Sequence, residues 1–256
     1  MTEGPLKVWL ERGGALLRLR LARPKANILD AGMISALRGS FSNYRTNNGL
    51  LAALVDHEGP HFSFGASVEE HLPQHCEKML KGFHALLGAM LEWPKPILVA
   101  AGGQCLGGGL EFASAGSLLF AAPGAQFGQP EMKLGVFAPA ASVLLPLRIG
   151  QARAEDLLLS GRSIDAPTAQ AWGLVNAVAD DPSAAALEYF DKHLADKSAA
   201  ALAFAQRAAR NGFAELARAR LDEVEELYLE RLMETHDANE GLQAFMEKRQ
   251  PKWEHR

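Results

Sequence analysis

Residues 103–111 read GQCLGGGLE, and residues 127–131 further along the chain read FGQPE. Three consecutive glycines leave bare backbone, so their N–H groups can approach the oxygen of a ligand closely. A carboxylate closes each motif, Glu111 in the first and Glu131 in the second. Such N–H groups stabilise a negatively charged oxygen, and carboxylates hold water or transfer protons. The two motifs therefore predict an oxyanion site with acid and base groups beside it.

Two nucleotide-binding interpretations of the glycines fail. A P-loop requires Lys followed by Ser or Thr after its last glycine, whereas Gly107 is followed by two more glycines. A dinucleotide-binding GxGxxG motif that begins at Gly107 requires glycine at position 112, which is Phe112. Two structural interpretations stay open. The glycines only allow close packing of a helix on a sheet, or Glu111 is a helix-start carboxylate and Glu131 a loop residue.

The composition is that of an ordinary globular protein. The chain has 256 residues, of which 48% are hydrophobic and 22% charged, so it can bury a substantial core in one large domain. A formal net charge of -4 with interspersed signs gives no electrostatic footprint for nucleic acid. No stretch approaches about 18 uninterrupted apolar residues, so no membrane span is expected. Only two cysteines, and a start without a basic and then apolar leader, indicate the cytoplasm.

Alternation and breaker residues predict an α/β layer arrangement. Residues 6–21 alternate apolar and polar positions around two glycines, which is typical of a β-hairpin. Asp30 is a candidate N-cap for a helix. Residues 50–55 and 97–101 are continuous apolar runs that indicate buried strands, and helical patterns separate them.

The pattern changes near Ser198, after which leucines and alanines recur at helical spacing among charges. We therefore expect residues 1–197 to form a core that contains the active site. Residues 198–256 are expected to form a C-terminal helical region. Helices of this kind pack on the core or form an oligomer surface.

Three segments carry a resemblance to a known family: residues 59–67, GPHFSFGAS, residues 103–111, and residues 127–135, FGQPEMKLG. In order and spacing they resemble the signature segments of the crotonase (enoyl-CoA hydratase/isomerase) superfamily, and the similarity extends over almost the whole chain. The resemblance implies an α/β fold, the crotonase-type spiral of repeated ββα units with a C-terminal helical trimerisation region. It also implies a homotrimer or a homohexamer.

Carried over position by position, the resemblance implies that the backbone N–H groups of Ala66 and Gly108 form the oxyanion hole for the thioester carbonyl of an acyl-CoA. Glu111 and Glu131 match the two carboxylates that hold water in hydratases of this family. Many isomerases of the family keep only one of them, so the presence of both favours a hydro-lyase.

The resemblance also implies where coenzyme A and the acyl group bind. No metal and no redox cofactor are implied, because coenzyme A is part of the substrate. The spacing of His71, His75 and Cys76 superficially suggests zinc, but Pro73 interrupts the helix that would align them. The candidate residues for the substrate and for coenzyme A are Lys25, Ala26, Asn27, Ser67, Val68, Phe137, Phe245 and Lys248.

Two departures from the common family pattern indicate which substrate the protein acts on. Position 67 is serine where most relatives have aspartate, and residues 135–142, GVFAPAAS, lack the usual paired glycines. In these details the segments resemble a narrower group, the cyclic dienoyl-CoA hydratases of anaerobic benzoyl-CoA degradation. That resemblance implies hydration of cyclohexa-1,5-diene-1-carbonyl-CoA to 6-hydroxycyclohex-1-ene-1-carbonyl-CoA through a dienolate. We assign proton donation to Glu131 and water activation to Glu111, and the reverse assignment stays open.

Two other functions stay open for the chain. One is an enoyl-CoA hydratase or isomerase that acts on linear acyl chains in fatty-acid β-oxidation. The other is a catalytically silent family member that is retained for binding or assembly. The presence of both Glu111 and Glu131 counts against the silent form.

Overall fold

The computed structural model describes residues 4–256, which form two β-sheets, nine α-helices and several short 3-10 turns. The strands are β1 Leu6–Glu11, β2 Leu16–Leu21, β3 Ala52–His57, β4 Ile97–Ala101, β5 Gln104–Leu106, β6 Leu118–Ala121, β7 Gln126–Gly128, β8 Ser163–Asp165 and β9 Ala177–Val178. The α-helices are α1 Ala31–Tyr44, α2 Cys76–Leu91, α3 Gly108–Ala115, α4 Pro139–Ile149, α5 Gln151–Ser160, α6 Ala166–Ala171, α7 Pro182–His193, α8 Ala199–Glu230 and α9 His236–Met246.

The main sheet has six strands in the order β1-β2-β3-β4-β6-β9. The hairpin predicted at residues 6–21 is confirmed as β1 and β2, which pair antiparallel, and the other neighbours in this sheet pair in parallel. Strands β3 and β4 are buried on both faces. Such strands read as continuous apolar runs because helices cover both faces of the sheet.

The second sheet is small and lies next to the candidate site. It has the order β5-β7-β8, in which β5 and β7 run parallel and β8 pairs antiparallel with β7. Leu106 of β5 is opposite Gly128 of β7. Because these strands are parallel, the residues that follow their carboxyl ends meet at one edge of the sheet.

Polar side chains begin several helices, as the sequence predicts. Asp30 caps α1, since its carboxylate accepts a hydrogen bond from the N–H of Met33 at 2.8 Å. Ser198 caps α8 in the same way, through the N–H of Ala201. Helix α8 packs against α2 and α4, and α9 packs against the 3-10 turn Pro130–Leu134. Helix α8 thus begins just after residue 198 and packs against helices of the core, and the division into two regions stays a prediction.

A buried ion cluster ties β2 to β3. Asp56 accepts hydrogen bonds from Arg18 at 2.5 Å and from Arg20 at 2.9 and 2.6 Å, and Asp56 and Arg18 are almost completely buried. Burial by itself would raise the pKa of the Asp56 carboxyl, but the bonds from Arg20 and Arg18 outweigh that effect and lower it. The cluster therefore joins β2 to β3 through ion pairs in which each buried charge stabilises the opposite one.

Among residues 4–256, no helix is long and apolar enough to span a bilayer.

Candidate active site

Three chain segments lie side by side at the candidate site. Residues 62–66 run next to β5, where the N–H of Ser63 donates to the carbonyl of Gln104 at 3.0 Å and the N–H of Leu106 donates to the carbonyl of Ser63 at 3.0 Å. On its other edge β5 pairs with β7. Ala66, at the end of the first segment, and Gly108, just after β5, are thereby brought close together.

The amide groups of Ala66 and Gly108 are close together and unoccupied. A Cβ built on Gly108 would lie 2.9 Å from the nitrogen of Ala66, and a Cβ built on Gly65 would lie 3.1 Å from the nitrogen of Gly108. Neither N–H has a hydrogen-bond partner within the part of the chain that the structure describes. Two free N–H groups at this spacing can bind one oxygen atom together.

Helix α3 adds the field of its backbone to these amides. Gly108 is its first residue, so the positive end of the helix dipole lies at the amide pair. At the other end, Arg148 donates to the carbonyl of Ser114 at 3.0 Å and Arg210 donates to the carbonyl of Ala115 at 2.8 Å. Two cations therefore complement the negative end of a short helix whose positive end faces the candidate site.

Glu111 lies in the first turn of α3 and is 5% exposed. Its Oε1 accepts a hydrogen bond from the N–H of Ala141, at the start of α4, at 2.7 Å. Burial raises the pKa of this carboxyl, while the N–H bond from Ala141 and the charge of His84 oppose the rise. Glu111 is thus a buried acid whose charged form is stabilised by a backbone donor.

Glu131 lies in the 3-10 turn just after β7 and is partly exposed. A Cβ on Gly107 would be only 2.6 Å from its Oε1, so the carboxyl rests against the bare backbone of the glycine motif. With its amide NH2 turned toward the carboxyl, Gln129 donates to both oxygens at 3.2 and 3.1 Å. Burial, and then the negative charge of Glu111, raise the pKa of Glu131 to about 8.

Sequence comparison places these features in a family. A family model described as enoyl-CoA hydratase/isomerase matches residues 11–256. The chain belongs to the enoyl-CoA hydratase/isomerase family.

The relatives of this family member differ widely in their sequence identity to it. It is 62% identical over 252 residues to the cyclohexa-1,5-dienecarbonyl-CoA hydratase of Thauera aromatica, with 98% of both chains covered. It is 31% identical to the carnitinyl-CoA dehydratase of Proteus mirabilis, with 95% of this chain and 96% of that protein covered. An enoyl-CoA hydratase/isomerase structure from Pseudoalteromonas atlantica superposes with a TM-score of 0.84 at 28% identity, covering 97% and 99% of the two chains. The predicted crotonase-type α/β fold is confirmed.

The structure of this enoyl-CoA hydratase/isomerase family member places Phe137 in the segment between the turn of Glu131 and α4, the helix whose first turn bonds to the Glu111 carboxyl. Phe137 is partly buried, and its ring meets the ring of Tyr228 edge-on with the centroids 5.3 Å apart. Helix α9 packs on the same turn, because Gly241 lies directly against the carbonyl of Leu134. The C-terminal helices α8 and α9 therefore pack against the segment that carries Glu131 and Phe137.

The predicted coenzyme A residues fall into separate groups. Lys25 is exposed, and the carbonyl of Ala26 accepts a hydrogen bond from the N–H of Phe64 at 2.9 Å. Asn27 is completely buried, and its side chain bonds to the N–H of Arg23 and to the carbonyls of Glu58 and His61. Contact between Asn27 and coenzyme A stays a prediction, and its side-chain amide is already used within the loop.

The remaining predicted binding residues lie at two places. Ser67 and Val68 follow Ala66 directly, and the carbonyl of Ser67 lies 2.7 Å from Nδ1 of His71. Phe245 and Lys248 lie at the end of α9 and are exposed. Within residues 4–256, no hydrogen bond joins this end of α9 to Lys25 or Ser67. Their joint role at coenzyme A stays a prediction.

Four residues that contact parts of the candidate site or its neighbours were not singled out as site residues from the sequence. Ser63 and Gln129 stand inside the quoted motifs, so their positions carried a usable signal. Ala141 acts through its backbone N–H, and Tyr228 comes from a distant helix. A local pattern contains no sign of either contact.

In the described part of the chain, no group of three or more His, Cys, Asp or Glu side chains is arranged to hold a metal ion. A groove of about 1350 Å³ lies between α2 and α8, lined by charged side chains such as Arg207, Arg218 and Glu225. Its lining includes His84 but neither Glu111 nor Glu131. The groove is therefore a separate surface from the space between the carboxyls.

Proposed function

We propose that this protein adds water to cyclohexa-1,5-diene-1-carbonyl-CoA and forms 6-hydroxycyclohex-1-ene-1-carbonyl-CoA in anaerobic aromatic degradation. The observation that carries the proposal is the 62% identity to the Thauera aromatica hydratase across 98% of both chains. The free amide pair and the two carboxyls supply the groups that this reaction needs. In this proposal the enzyme is a hydro-lyase whose substrate is an acyl-CoA thioester.

The N–H groups of Ala66 and Gly108 bind the thioester carbonyl oxygen. Attack of water on the β carbon pushes electrons through the conjugated system onto that oxygen. Donors that are already in place when this charge develops contribute about 3 kcal/mol each to transition-state stabilisation. The absence of internal partners for both N–H groups within residues 4–256 supports this role.

Glu111 removes a proton from water, and Glu131 delivers a proton to the ring. The two carboxyls repel each other when both are charged, so a single proton is shared between them near neutral pH. The N–H of Ala141 stabilises charge on Glu111, while burial and the charge of Glu111 raise the pKa of Glu131 to about 8. These environments favour Glu111 as the base and Glu131 as the acid.

The proton balance of one turnover follows from these roles. Glu111 accepts one hydrogen of the water, and the water oxygen bonds to the β carbon of the thioester. The dienolate then takes the proton of Glu131 at the far end of the conjugated system, and the remaining double bond is conjugated with the carbonyl. A proton must return from Glu111 to Glu131, through solvent or product, before the next turnover.

The binding residues predicted from the family enter the proposal as follows. Phe137 forms the wall of the acyl pocket, and the stiff segment around Pro139 shapes it for a ring. Lys25, Ala26, Asn27, Ser67, Val68, Phe245 and Lys248 bind coenzyme A. No metal or redox cofactor takes part.

We further propose a homotrimer or homohexamer in the cytoplasm. Helix α8 leaves Phe204 71% and Leu227 52% exposed in the single chain, which supports a covering partner. Both cysteines are buried free thiols, which suits a reducing compartment. Light scattering after size-exclusion chromatography tests the oligomer, and a monomer at micromolar concentration would rule it out.

The test of the activity is a direct assay of purified protein with the cyclic dienoyl thioester and with crotonyl-CoA. We expect hydration of the ring substrate with kcat/KM at least about a hundredfold above that for crotonyl-CoA, since pocket shape discriminates at this order. Hydration of crotonyl-CoA alone would instead support the linear enoyl-CoA function.

Carboxyl variants connect the activity to the site. Glu111→Gln and Glu131→Gln keep the side-chain size and remove the acid or base, so each should lower kcat by about 10² to 10⁴. The matched control is Glu188→Gln on the exposed surface of α7, which should leave kcat unchanged. Full turnover by either site variant would remove that carboxyl from the mechanism.

A further inference from the structure

The hydroxyl of Tyr228 is buried and has no hydrogen-bond partner among residues 4–256. The residue is only 1% exposed. An unpaired buried hydroxyl is costly, because it loses its bonds to water and gains none in return. A phenylalanine would fill the same space without that cost. The partner of the hydroxyl is therefore to be sought in a molecule that binds to the protein.

Tyr228 lies on α8, close to the wall of the candidate site. Its ring contacts Phe137, which belongs to the segment after Glu131. Less than one turn earlier, Glu225 of the same helix bonds to Nδ1 of His84 on α2 at 2.7 Å. This bond ties α8 to α2 within one turn of Tyr228, so the fold holds the phenol ring against Phe137.

The electrostatic surroundings of the phenol agree with that position. Burial, and then the charges of Cys76, Glu131 and Glu111, raise the pKa of Tyr228 well above its usual value. The phenol therefore stays neutral at physiological pH. Neither carboxyl is bonded to it in the structure.

The hydration reaction needs one more hydrogen-bond acceptor than the two carboxyls supply. Of the two hydrogens on the attacking water, Glu111 takes one. The second hydrogen stays on the oxygen and becomes the hydroxyl hydrogen of the product. A hydroxyl hydrogen that is buried away from solvent requires an acceptor. Glu131 directs its proton at a ring carbon, and its oxygens already accept hydrogen bonds from the amide of Gln129, so we assign the second hydrogen to another acceptor.

We propose that the phenol oxygen of Tyr228 accepts this second hydrogen, first from the water and then from the alcohol of the product. No bond of Tyr228 forms or breaks, and the proton that leaves the water goes to Glu111. The inference rests on the proposed function and deepens it, because it names the side chain that recognises the hydroxyl group.

The first test compares Tyr228→Phe with wild type and with the control Tyr189→Phe. Tyr189 packs against Phe120 and His193, away from the carboxyls, so its hydroxyl should not affect turnover. Because the Tyr228 hydroxyl has no partner in the fold, Tyr228→Phe should unfold at the same temperature as wild type or higher. We expect its kcat for the cyclic dienoyl thioester to fall about tenfold, the usual effect of one neutral hydrogen bond, with KM nearly unchanged.

The second test measures binding without turnover, by calorimetry. The probes are 6-hydroxycyclohex-1-ene-1-carbonyl-CoA and the same thioester without the hydroxyl group. The preference of wild type for the hydroxylated thioester should exceed that of Tyr228→Phe by about tenfold, and Tyr189→Phe should behave as wild type. A purely structural tyrosine would change the affinities for both probes equally.

The outcomes separate this inference from the proposed function. An equal binding preference in wild type and Tyr228→Phe overturns the role of the phenol, whatever happens to kcat. If wild type does not hydrate the cyclic dienoyl thioester, the proposed function fails. The same comparison with 3-hydroxybutyryl-CoA and butyryl-CoA then decides whether Tyr228 recognises a hydroxyl group.

Discussion

The amide nitrogen of Ala66 lies 2.9 Å from the point where a side chain on Gly108 would begin. Ala66 follows the segment that pairs with β5, and Gly108 is the first residue of α3, so their contact depends on strand pairing and a helix start together. Because any Cβ at position 108 would cover the neighbouring N–H, the glycine is required for access to the amide pair.

Gly108→Ala should therefore inactivate the enzyme, and it should also lower stability, because the new Cβ meets rigid backbone at 2.9 Å. The new methyl group would block or displace the N–H of Ala66, and loss of one such donor lowers kcat by about 10² to 10³. Steady-state kinetics with the cyclic dienoyl thioester measures the effect, and the thermal unfolding temperature reports stability.

The control for this variant is Gly212→Ala on α8, where no atom lies within 4 Å of the new Cβ. Alanine is the better helix former, so this change should stabilise the protein by about 0.5 to 1 kcal/mol and leave kcat unaffected. Normal kcat in Gly108→Ala would show that the amide of Ala66 does not bind the thioester oxygen.

The pH dependence of hydration should have a basic limb set by Glu131. The proton donor must be protonated, and the pKa of Glu131 is raised to about 8. We expect kcat to fall about tenfold per pH unit above that value. The pKa of Glu111, which must be charged, is also raised, so the acidic limb should lie above the usual value for glutamate. A rate that is constant from neutral pH to about pH 9.5 would contradict the assignment of Glu131 as acid.

Glu131 should also destabilise the protein as the pH rises. Its pKa in the folded protein is above the value of about 4.3 expected in the unfolded chain, so between these values the folded protein binds more protons. The stabilising effect is complete below the unfolded pKa and is lost as the pH rises toward about 8. Glu131→Gln cannot ionise, so its unfolding temperature should exceed that of wild type increasingly from about pH 5 to about pH 8. The control Glu188→Gln should show a constant difference, and a constant difference for Glu131→Gln would mean that its carboxyl is not desolvated.

Local features of the chain could be predicted because their causes are local. The hairpin at residues 6–21 follows from alternation, and the start of α1 follows from the carboxylate of Asp30. The predicted ends of the strands and helices were less accurate. The strand expected at residues 50–55 is Ala52–His57, because residues 47–50 form a hydrogen-bonded turn. Helix α3 begins at Gly108, a position that the sequence pattern does not indicate, since glycines carry no helical periodicity.

The geometry of the site depends on pairing between distant segments, which no local pattern contains. Glu131 meets the glycine motif because β7 pairs with β5 in a register that sets Gly128 opposite Leu106. The bond from the N–H of Ala141 to Glu111 arises only when α4 packs on α3. Family resemblance indicated the main groups, but the partners that adjust their pKa values required the structure.

The buried cluster around Asp56 makes a further prediction about stability. Asp56→Ala leaves the guanidinium of Arg18, which is 3% exposed, without its nearest carboxylate, and removal of one partner from a buried pair costs about 3 to 5 kcal/mol. The pKa of Asp56 is lowered in the folded protein, so its stabilising effect is present above the unfolded value of about 3.9 and is lost as the pH falls through the folded value. Urea unfolding at fixed protein concentration should therefore show a large difference in unfolding free energy between variant and wild type at neutral pH. This difference should shrink below about pH 4.

The control variant is the exposed Asp180→Ala, whose unfolding free energy should differ from that of wild type by less than about 0.5 kcal/mol. A similarly small effect of Asp56→Ala at neutral pH would show that Arg18 finds an equivalent partner, and the cluster would then not be what holds β2 to β3.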